Sequence, residues 1–187
     1  NVGFLALKFK SSDRARQRHQ GFIDGCARNG MKLPALLEIE EDSHGLIDLL
    51  KEFLQENPTL TGIFASNDFL ALATIRSARA LGLRVPQDLS IVGFDGIEVD
   101  TMVEPSLATI ATDPKMMGNG AARTVLSVIN GTPAPELPDP KTTFSFRAGG
   151  SLASAAAERT DDGKVAAFPP SNDPTHKKAK IQQERSR

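Results

Sequence analysis

Short apolar runs alternate with amphipathic segments along the first 150 residues, and this alternation constrains the fold more than any other feature of the sequence. The apolar runs predict strands at residues 2–9, 36–39, 62–66, 89–94, 107–111 and 142–146. The amphipathic segments predict helices at residues 14–29, 43–56, 68–81 and 113–130, with Ser43 as the cap of the second. Strands and helices that alternate in this way are typical of a parallel sheet with helices on both faces. We therefore predict the α/β class.

Helical spacing also predicts which side chains face the core. In the second helix the inward positions are Leu46, Leu49, Leu50, Phe53 and Leu54. In the last helix the residues that recur at helical spacing are Met116, Met117, Gly120, Ala121, Thr124, Val125 and Val128. A methionine pair on such a stripe is more often core than ligand site, so we expect both methionines to be buried.

Composition excludes several classes of protein. The chain has 187 residues, which is enough to bury a substantial core without the help of disulfides or metal ions. Its formal net charge of −1 argues against nucleic-acid binding by bulk electrostatics. No apolar run approaches the roughly 18 residues that a membrane span needs. Cys26 is the only cysteine, so no internal disulfide can form.

The two ends of the sequence differ from its body. The chain enters an apolar run directly after Asn1, so we expect it to be a fragment that lacks an N-terminal part. Residues 151–187 hold many charges and prolines and few large apolar side chains, and we expect a disordered tail after a domain at 1–150. The cluster Lys177-Lys178-Ala179-Lys180 could touch nucleic acid or an import receptor, although a solvated end is the simpler interpretation.

Polar side chains stand where three predicted strands end. Arg18 lies in the helix after the first strand, Asn67 and Asp68 follow the third, and Asp95 follows the fourth. Ligands of parallel sheets bind beyond the carboxyl ends of the strands, and a guanidinium, a carboxamide and a carboxylate suit the hydroxyls of a small solute. Structural alternatives exist for each: Asn67 or Asp68 can cap a helix and Asp95 can begin a turn. Arg18 can be a solvated surface charge.

Signals for catalysis or metal binding are weak. His19, His44 and His176 share no metal-ligand spacing with the lone cysteine or with each other. The sequence contains no Gly-x-Ser-x-Gly turn and no phosphate-binding loop. We therefore expect no enzymatic activity, no cofactor and no metal site.

Four segments of the body form an ordered set of motifs. They are Arg18-His-Gln-Gly-Phe22, Gly62-Ile-Phe-Ala-Ser-Asn-Asp-Phe-Leu-Ala-Leu-Ala, Gly82-Leu-Arg-Val-Pro-Gln-Asp-Leu-Ser-Ile-Val-Gly-Phe-Asp and Pro105-Ser-Leu-Ala-Thr-Ile-Ala-Thr-Asp. This set resembles the effector-binding core of LacI/GalR-type transcriptional repressors, in the family's order and spacing. The resemblance extends from about residue 2 to about residue 150, and the motifs are specific only in combination.

The resemblance implies a periplasmic-binding-protein-like fold of two α/β lobes with a small effector, often a sugar, between them. This chain would supply mostly the carboxyl-terminal lobe and the closing elements of the other. The family's effector contacts would fall on Arg18, Asn67, Asp95 and Thr112, and Phe22 and Phe94 would line the pocket or pack in the core. The family's dimer contacts would fall on Leu72, Ile75, Met102 and Val103, with intramolecular core as the alternative for these four.

The resemblance further implies an allosteric regulator, in which effector binding changes the angle between the lobes and thereby the affinity for operator DNA. Its implied partners are a small-molecule effector, a second copy of the chain, and operator DNA held through a helix-turn-helix headpiece outside this chain. The implied location is the cytoplasm, with no membrane attachment. A periplasmic sugar-binding protein that feeds a transporter, and a truncated remnant without function, are the alternatives.

Two features depart from the family's pattern. Gly96 stands where these repressors commonly have a second aspartate, and Phe-Asp-Gly is also common in periplasmic sugar-binding proteins. The ending Phe146-Arg147-Ala-Gly-Gly-Ser151 is looser than the usual Arg-x-Ser-Thr. The first departure keeps the transport alternative open.

Overall fold

The computed structural model describes residues 1–39, 45–136, 143–154 and 181–182, which together form one seven-stranded sheet. The strands are β1 (Val2–Leu7), β2 (Ala35–Ile39), β3 (Gly62–Ala65), β4 (Ser90–Asp95), β5 (Ala108–Thr112), β6 (Phe144–Arg147) and β7 (Ile181–Gln182), in the spatial order β6-β5-β4-β3-β1-β2-β7. Strands β1 to β5 are parallel, and the edge strands β6 and β7 are antiparallel to their neighbours. The helices are α1 (Asp13–Arg28), α2 (Leu46–Glu56), α3 (Asp68–Ala80) and α4 (Pro114–Ile129), with a 3₁₀ turn at Glu98–Thr101. The predicted α/β class with a mostly parallel sheet is confirmed.

Apolar side chains pack on both faces of the sheet. Successive residues of a strand point to opposite faces, so Leu5 joins the large cluster under α2 and α3 while Phe4 joins a smaller cluster under α1. The predicted inward face of α2 is confirmed at Leu46, Leu50, Phe53 and Leu54, which are buried, and Leu49 is half-buried. The sheet core therefore forms from the residues that helical and strand periodicity identify.

Turn chemistry shifts some of the predicted boundaries. Strand β1 ends at Leu7 rather than at residue 9, because Lys8 adopts a φ of 52° that an extended strand does not allow. Helix α2 begins at Leu46 after Gly45, whose φ is 85°. The predicted cap Ser43 lies outside the described residues.

Helix α4 lies where it was predicted, but its surroundings differ from the prediction. Met117 is 59% exposed and Val128 is 76% exposed, and Val125 is exposed as well. The more buried edge of the helix consists of Met116, Gly120, Thr124 and Ser127. The expectation that both methionines are buried is therefore wrong for Met117. Helical spacing identifies residues that share a face, but it does not show what that face contacts.

The segment after β6 forms a strap across two central strands. Ser151 is fully buried, its hydroxyl donates to the carbonyl of Ile91 at 2.6 Å, and the same oxygen accepts from the amide of Ala108 at 2.9 Å. Gly149 passes so close to β5 that an added Cβ would collide with the backbone of Ala108. The boundary expected at residue 150 thus falls inside a packed segment.

Beyond residue 154, the predicted tail is described only at Ile181 and Gln182, which pair with β2 as the strand β7. The lysine cluster at 177–180 and His176 lie outside the described residues. Among the described helices, none combines the length and the hydropathy required to cross a membrane.

Candidate functional site

A cleft of about 490 Å³ opens at the carboxyl ends of β1, β3 and β4. Side chains from these strand ends, from the start of α1 and from the loop between β1 and α1 surround it. Its lining residues are Leu7, Lys8, Ser11, Ser12, Asp13, Arg14, Ala15, Arg18, Ser66, Asn67 and Asp95. The structure thus brings together three of the four predicted effector contacts, which are Arg18, Asn67 and Asp95.

An ion pair lies on one side of this cleft. One Nη of Arg18 is 3.1 Å from Oδ1 of Asp95, and its other Nη donates to the backbone carbonyl of Ser66. The guanidinium also stacks on Phe94, with its Cζ 3.8 Å from the ring centre. Arg18 is therefore a fixed, partly buried group of the cleft, and the alternative of a freely solvated charge does not apply.

Burial opposes both charges of this pair. It lowers the pKa of Arg18 and raises the pKa of Asp95, while the attraction between the two side chains acts in the opposite direction on each. Asp68 raises the pKa of Asp95 further, and Arg14 lowers it. The site therefore holds a carboxylate whose charge is less well solvated than that of a surface aspartate, which strengthens its hydrogen bonds to an incoming donor.

The backbone at the end of β4 is unusual. Asp95 has a φ of 121° and Gly96 has a φ of 81°, both in a region that residues with side chains rarely adopt. The hydroxyl of Thr112 donates to the carbonyl oxygen of Asp95 at 3.1 Å. An added Cβ at Gly96 would collide with Ala111. The glycine that departs from the family's pattern is therefore required here by both the backbone conformation and the lack of space.

Asn67 combines a structural role with a place in the cleft. Its Oδ1 accepts from the amide of Leu70 at 2.8 Å, so it caps α3 as the structural alternative predicted. The cap uses the amide oxygen and not the NH2 group, which carries two donors. Thr112 does not line the cleft, and it contacts the site only through the backbone of Asp95.

Several cleft residues were missed by the sequence reasoning. Arg14 lies one helical turn before Arg18, so both belong to the same face of α1, and this spacing was a usable signal. Lys8 lines the cleft only because the chain turns at the end of β1, which periodicity does not predict. Ser12 caps α1 by accepting a hydrogen bond from the amide of Ala15 at 3.2 Å.

The two phenylalanines proposed for the pocket have different places. Phe94 lies beneath the Arg18 guanidinium, next to the cleft. Phe22 packs in the aromatic cluster under α1, with its ring centre 5.2 Å from that of Phe64 and 6.0 Å from that of Phe4. For Phe22 the core alternative therefore holds.

The predicted dimer contacts are divided between surface and core. Ile75 is only 6% exposed and packs in the chain's own core, which is the alternative predicted for it. Leu72 and Val103 are half-buried, and Met102 is 78% exposed. Phe69, which the sequence reasoning missed, is 71% exposed in the first turn of α3. Leu72 and Ala73 lie three and four residues after Phe69, so helical spacing places all three on one face of α3. That spacing does not show whether the face lies at the surface or in the core.

Within the described parts of the chain, no group of three or more His, Cys, Asp or Glu side chains is placed to hold a metal ion.

Comparison with known proteins agrees with this fold. Residues 1–149 match the model of the periplasmic binding protein-like domain. The HTH-type transcriptional regulator GntR of Escherichia coli strain K12 is 36% identical over 155 residues, which cover 81% of this chain and 45% of that protein. The ribose operon repressor of Halalkalibacterium halodurans is 33% identical over 123 residues, which cover 64% of this chain and 36% of that protein.

Solved structures show the same fold. The crystal structure of the lac repressor dimer bound to operator and the anti-inducer ONPF is 26% identical with a TM-score of 0.71, over 82% of this chain and 53% of that one. This chain spans less than half the length of the two curated relatives, which are regulators rather than enzymes. The matched domain, the relatives and the shared fold show that this chain belongs to the periplasmic binding protein-like domain family, within the LacI/GalR-type transcriptional regulators.

Proposed function

We propose that this chain forms the effector-sensing and dimerisation core of a LacI-type regulator and binds a small polar ligand, a sugar, in the cleft at the end of the parallel strands. The observation that carries this proposal is the Arg18–Asp95 pair, held on one side of that cleft. Arg18, Asn67 and Asp95 contact the ligand directly. Thr112 acts on the ligand through the backbone of Asp95.

The chemistry of the pair suits vicinal hydroxyl groups. A carboxylate accepts from two hydroxyls, while the guanidinium donates to their oxygens with several N–H groups in a fixed plane. Phe94, under the guanidinium, offers an apolar surface beside these polar groups. A sugar presents the same combination of hydroxyls and C–H faces, and one relative is a repressor of a ribose operon.

Helix α4 supports a site shared between two lobes. Its exposed Met117, Val125 and Val128 form an apolar surface that water solvates poorly. The matched part of this chain covers 45% of GntR and 36% of the ribose operon repressor, so the remaining parts of such a protein are available to cover that surface. We assign α4 to the second lobe, whose remaining part closes over the cleft.

Dimerisation and DNA binding complete the proposal. The exposed Phe69 and Met102 and the half-buried Leu72 and Val103 form the surface for the partner subunit. The related lac repressor structure is a dimer on its operator. A headpiece outside this chain would contact DNA in the cytoplasm, and effector binding would change operator affinity by altering the angle between the lobes.

Substitution of Asp95 tests the proposal in the full-length protein. We expect Asp95→Ala to weaken sugar binding by about tenfold or more, because the main hydroxyl acceptor is lost, and to leave operator binding unchanged. Calorimetry with a panel of pentoses and hexoses that includes ribose measures the first, and fluorescence anisotropy with operator DNA measures the second. Asp24→Ala is the matched control, since Asp24 is exposed on α1 and bonds only Gln20 among the described contacts. An unchanged sugar affinity in Asp95→Ala would remove Asp95 from the site.

The DNA upstream of the codon for Asn1 distinguishes the proposal from the transport alternative. An open frame that encodes a helix-turn-helix and the remaining part of the second lobe supports a regulator. A signal peptide in that position would contradict the proposal and indicate a periplasmic sugar-binding protein.

A further inference from the structure

Gly96 and Ile97 directly follow Asp95, and the side chains of two other residues form hydrogen bonds with both of their amides and both of their carbonyl oxygens. Oδ2 of Asp68 accepts from the amide of Gly96 at 2.5 Å and from the amide of Ile97 at 3.0 Å. Arg147 donates to the carbonyl oxygen of Gly96 at 3.4 Å and to that of Ile97 at 2.9 Å. The loop is therefore held from both sides by a carboxylate on α3 and a guanidinium on β6.

The carboxylate of this arrangement is itself fixed. Asp68 is fully buried, and its Oδ1 accepts from the hydroxyl of Thr109, also fully buried, at 2.6 Å. Gly93 makes room for it, since an added Cβ there would collide with Oδ1 of Asp68. A fully buried carboxylate with three donors has little freedom to move, so it imposes its position on the loop.

The loop needs this support because its backbone is strained. The positive φ values of Asp95 and Gly96 follow each other directly, and such a conformation persists only where surrounding contacts determine it. The direction of the Asp95 side chain follows from that backbone. A relaxed, extended Asp95 would turn its carboxylate away from its present position 3.1 Å from Arg18.

We propose that Asp68 and Arg147 are positioning residues, which fix the 95–97 backbone so that the carboxylate of Asp95 faces the cleft beside Arg18. This inference rests on the proposed function, because it assigns the purpose of the arrangement to effector binding. Neither residue lines the cleft. Their effect on a ligand is therefore indirect, through the conformation of Asp95.

Asp100 supports Arg147 without holding the loop through its own side chain. It is fully buried, and its Oδ2 accepts from Arg147. Burial and Asp68 raise the pKa of Asp100, Arg147 acts in the opposite direction, and the net value is about 7. Because Asp100→Asn retains an oxygen for Arg147, we expect that variant to keep the loop in place.

Amide hydrogen exchange on the ¹⁵N-labelled chain tests the proposal without any ligand. In Arg147→Lys the charge is retained, but a single ammonium cannot reach both carbonyls and Asp100 at once. We expect the amides of Gly96 and Ile97 to exchange about tenfold faster in this variant, with the amide of Ile91 in the same sheet unchanged. The three-bond HN–Hα coupling of Asp95 should change from the small value of a positive φ to the large value of an extended residue.

Matched variants separate positioning from general destabilisation. Arg84→Lys alters an exposed arginine paired with Asp88 at 2.7 Å, and it should leave Gly96 and Ile97 unchanged, as should Asp100→Asn. Thr109→Val removes one donor to Asp68 and should give a smaller acceleration at the same two amides. Unchanged exchange at Gly96 and Ile97 in Arg147→Lys, or an equal increase at Ile91, would overturn the proposal.

The outcome is independent of whether a sugar binds. If the loop loosens and the coupling of Asp95 changes, the positioning role stands even where no sugar in the panel binds the full-length wild type, and only the proposed function fails. If sugars bind but Arg147→Lys affects neither the loop nor the affinity, the positioning role fails alone.

Discussion

Arg18 and Asp95 neutralise each other in the unliganded site. Their side chains remain 20% and 40% exposed, so water still reaches both, and the pair contributes little to stability by itself. Its value to a ligand lies in preorganisation, because the donors and the acceptor are already in place before a sugar arrives. A ligand hydroxyl inserts between groups that are already aligned, and it displaces water rather than rearranging side chains.

Replacement of Arg18 by lysine tests the importance of this geometry. Lysine keeps the charge but cannot donate to Ser66, Asp95 and a ligand from one plane, nor stack flat on Phe94. We expect about tenfold weaker sugar binding by the full-length Arg18→Lys variant, measured by calorimetry. Arg28→Lys at the end of α1 is the control and should bind like the wild type. Equal affinities of the two variants would contradict a specific role for the guanidinium.

The buried acid Asp100 predicts a pH dependence of stability. Its folded pKa of about 7 exceeds the ordinary value of 3.8, so the folded chain holds a proton that the unfolded chain releases within this window. The resulting contribution to the free energy of unfolding is fully present below pH 3.8 and is lost as the pH rises through about 7.

Urea unfolding measures this effect in the wild type and in Asp100→Asn. Because asparagine does not titrate, the wild type should lose stability relative to the variant as the pH rises from 3.8 to about 7. Asp24→Asn, on the exposed face of α1, should leave the wild-type pH profile unchanged. Parallel curves for wild type and Asp100→Asn would show that Asp100 ionises normally.

Sequence reasoning at this scale succeeded where a residue's position along a strand determines its neighbours. Arg18, Asn67 and Asp95 converge because carboxyl ends of parallel strands meet at one edge. Sequence reasoning did not find that Asp68 and Arg147 together hold the backbone of residues 96–97. Arg147 reaches that backbone from an antiparallel edge strand. No local pattern gives the pairing of β5 with β6.

Helix α4 shows the limit of periodicity at the scale of elements. Its apolar stripe and its capping residue Asp113, which accepts from the amide of Met116 at 2.8 Å, identify the helix from sequence alone. The part of this stripe formed by Met117, Val125 and Val128 remains exposed, whereas the equivalent stripe of α2 is mostly buried. Both helices have the same local signal, so only the tertiary arrangement distinguishes a core face from an interface face.

A charge on this stripe tests the assignment of α4 to a second lobe. We expect Val125→Asp to change the stability of the 187-residue chain by less than about 0.5 kcal/mol, because Val125 is exposed. In the full-length protein the same change should cost about 2 kcal/mol or more, because it places an unpaired charge in an interface. Leu50→Ala, in the core under α2, should destabilise both proteins by about 2 to 5 kcal/mol. An equal, small effect of Val125→Asp in both would show that α4 stays exposed.

The whole molecule combines a well-packed sheet with a cleft at one edge of that sheet. The domain match extends over residues 1–149, and the predicted class and family were correct on that scale. The ligand was not predictable to the same depth, because the cleft-lining side chains specify polar chemistry but no particular sugar. The cleft is bordered by one sheet edge and by α1, and a ligand in it would remain open to solvent on the far side.

Calorimetry on the 187-residue chain alone tests this picture. We expect weak binding or none with the panel of pentoses and hexoses, because in the proposed function a second lobe supplies further contacts and excludes water. The full-length protein should bind at least one member of the same panel. Micromolar binding by the isolated chain would contradict the assignment of part of the site to a second lobe.

The order of the chain has a consequence for synthesis. Every residue that lines the cleft lies between Leu7 and Asp95, whereas Arg147 holds Gly96 from 51 residues further on and Ser151 ties β4 to β5 later still. A ribosome therefore completes all the cleft-lining side chains, and Asp68 as well, before it makes Arg147 and Ser151. A nascent chain that ended before Arg147 would carry the polar groups of the cleft without the guanidinium that, in the positioning role proposed for it, holds the 96–97 backbone.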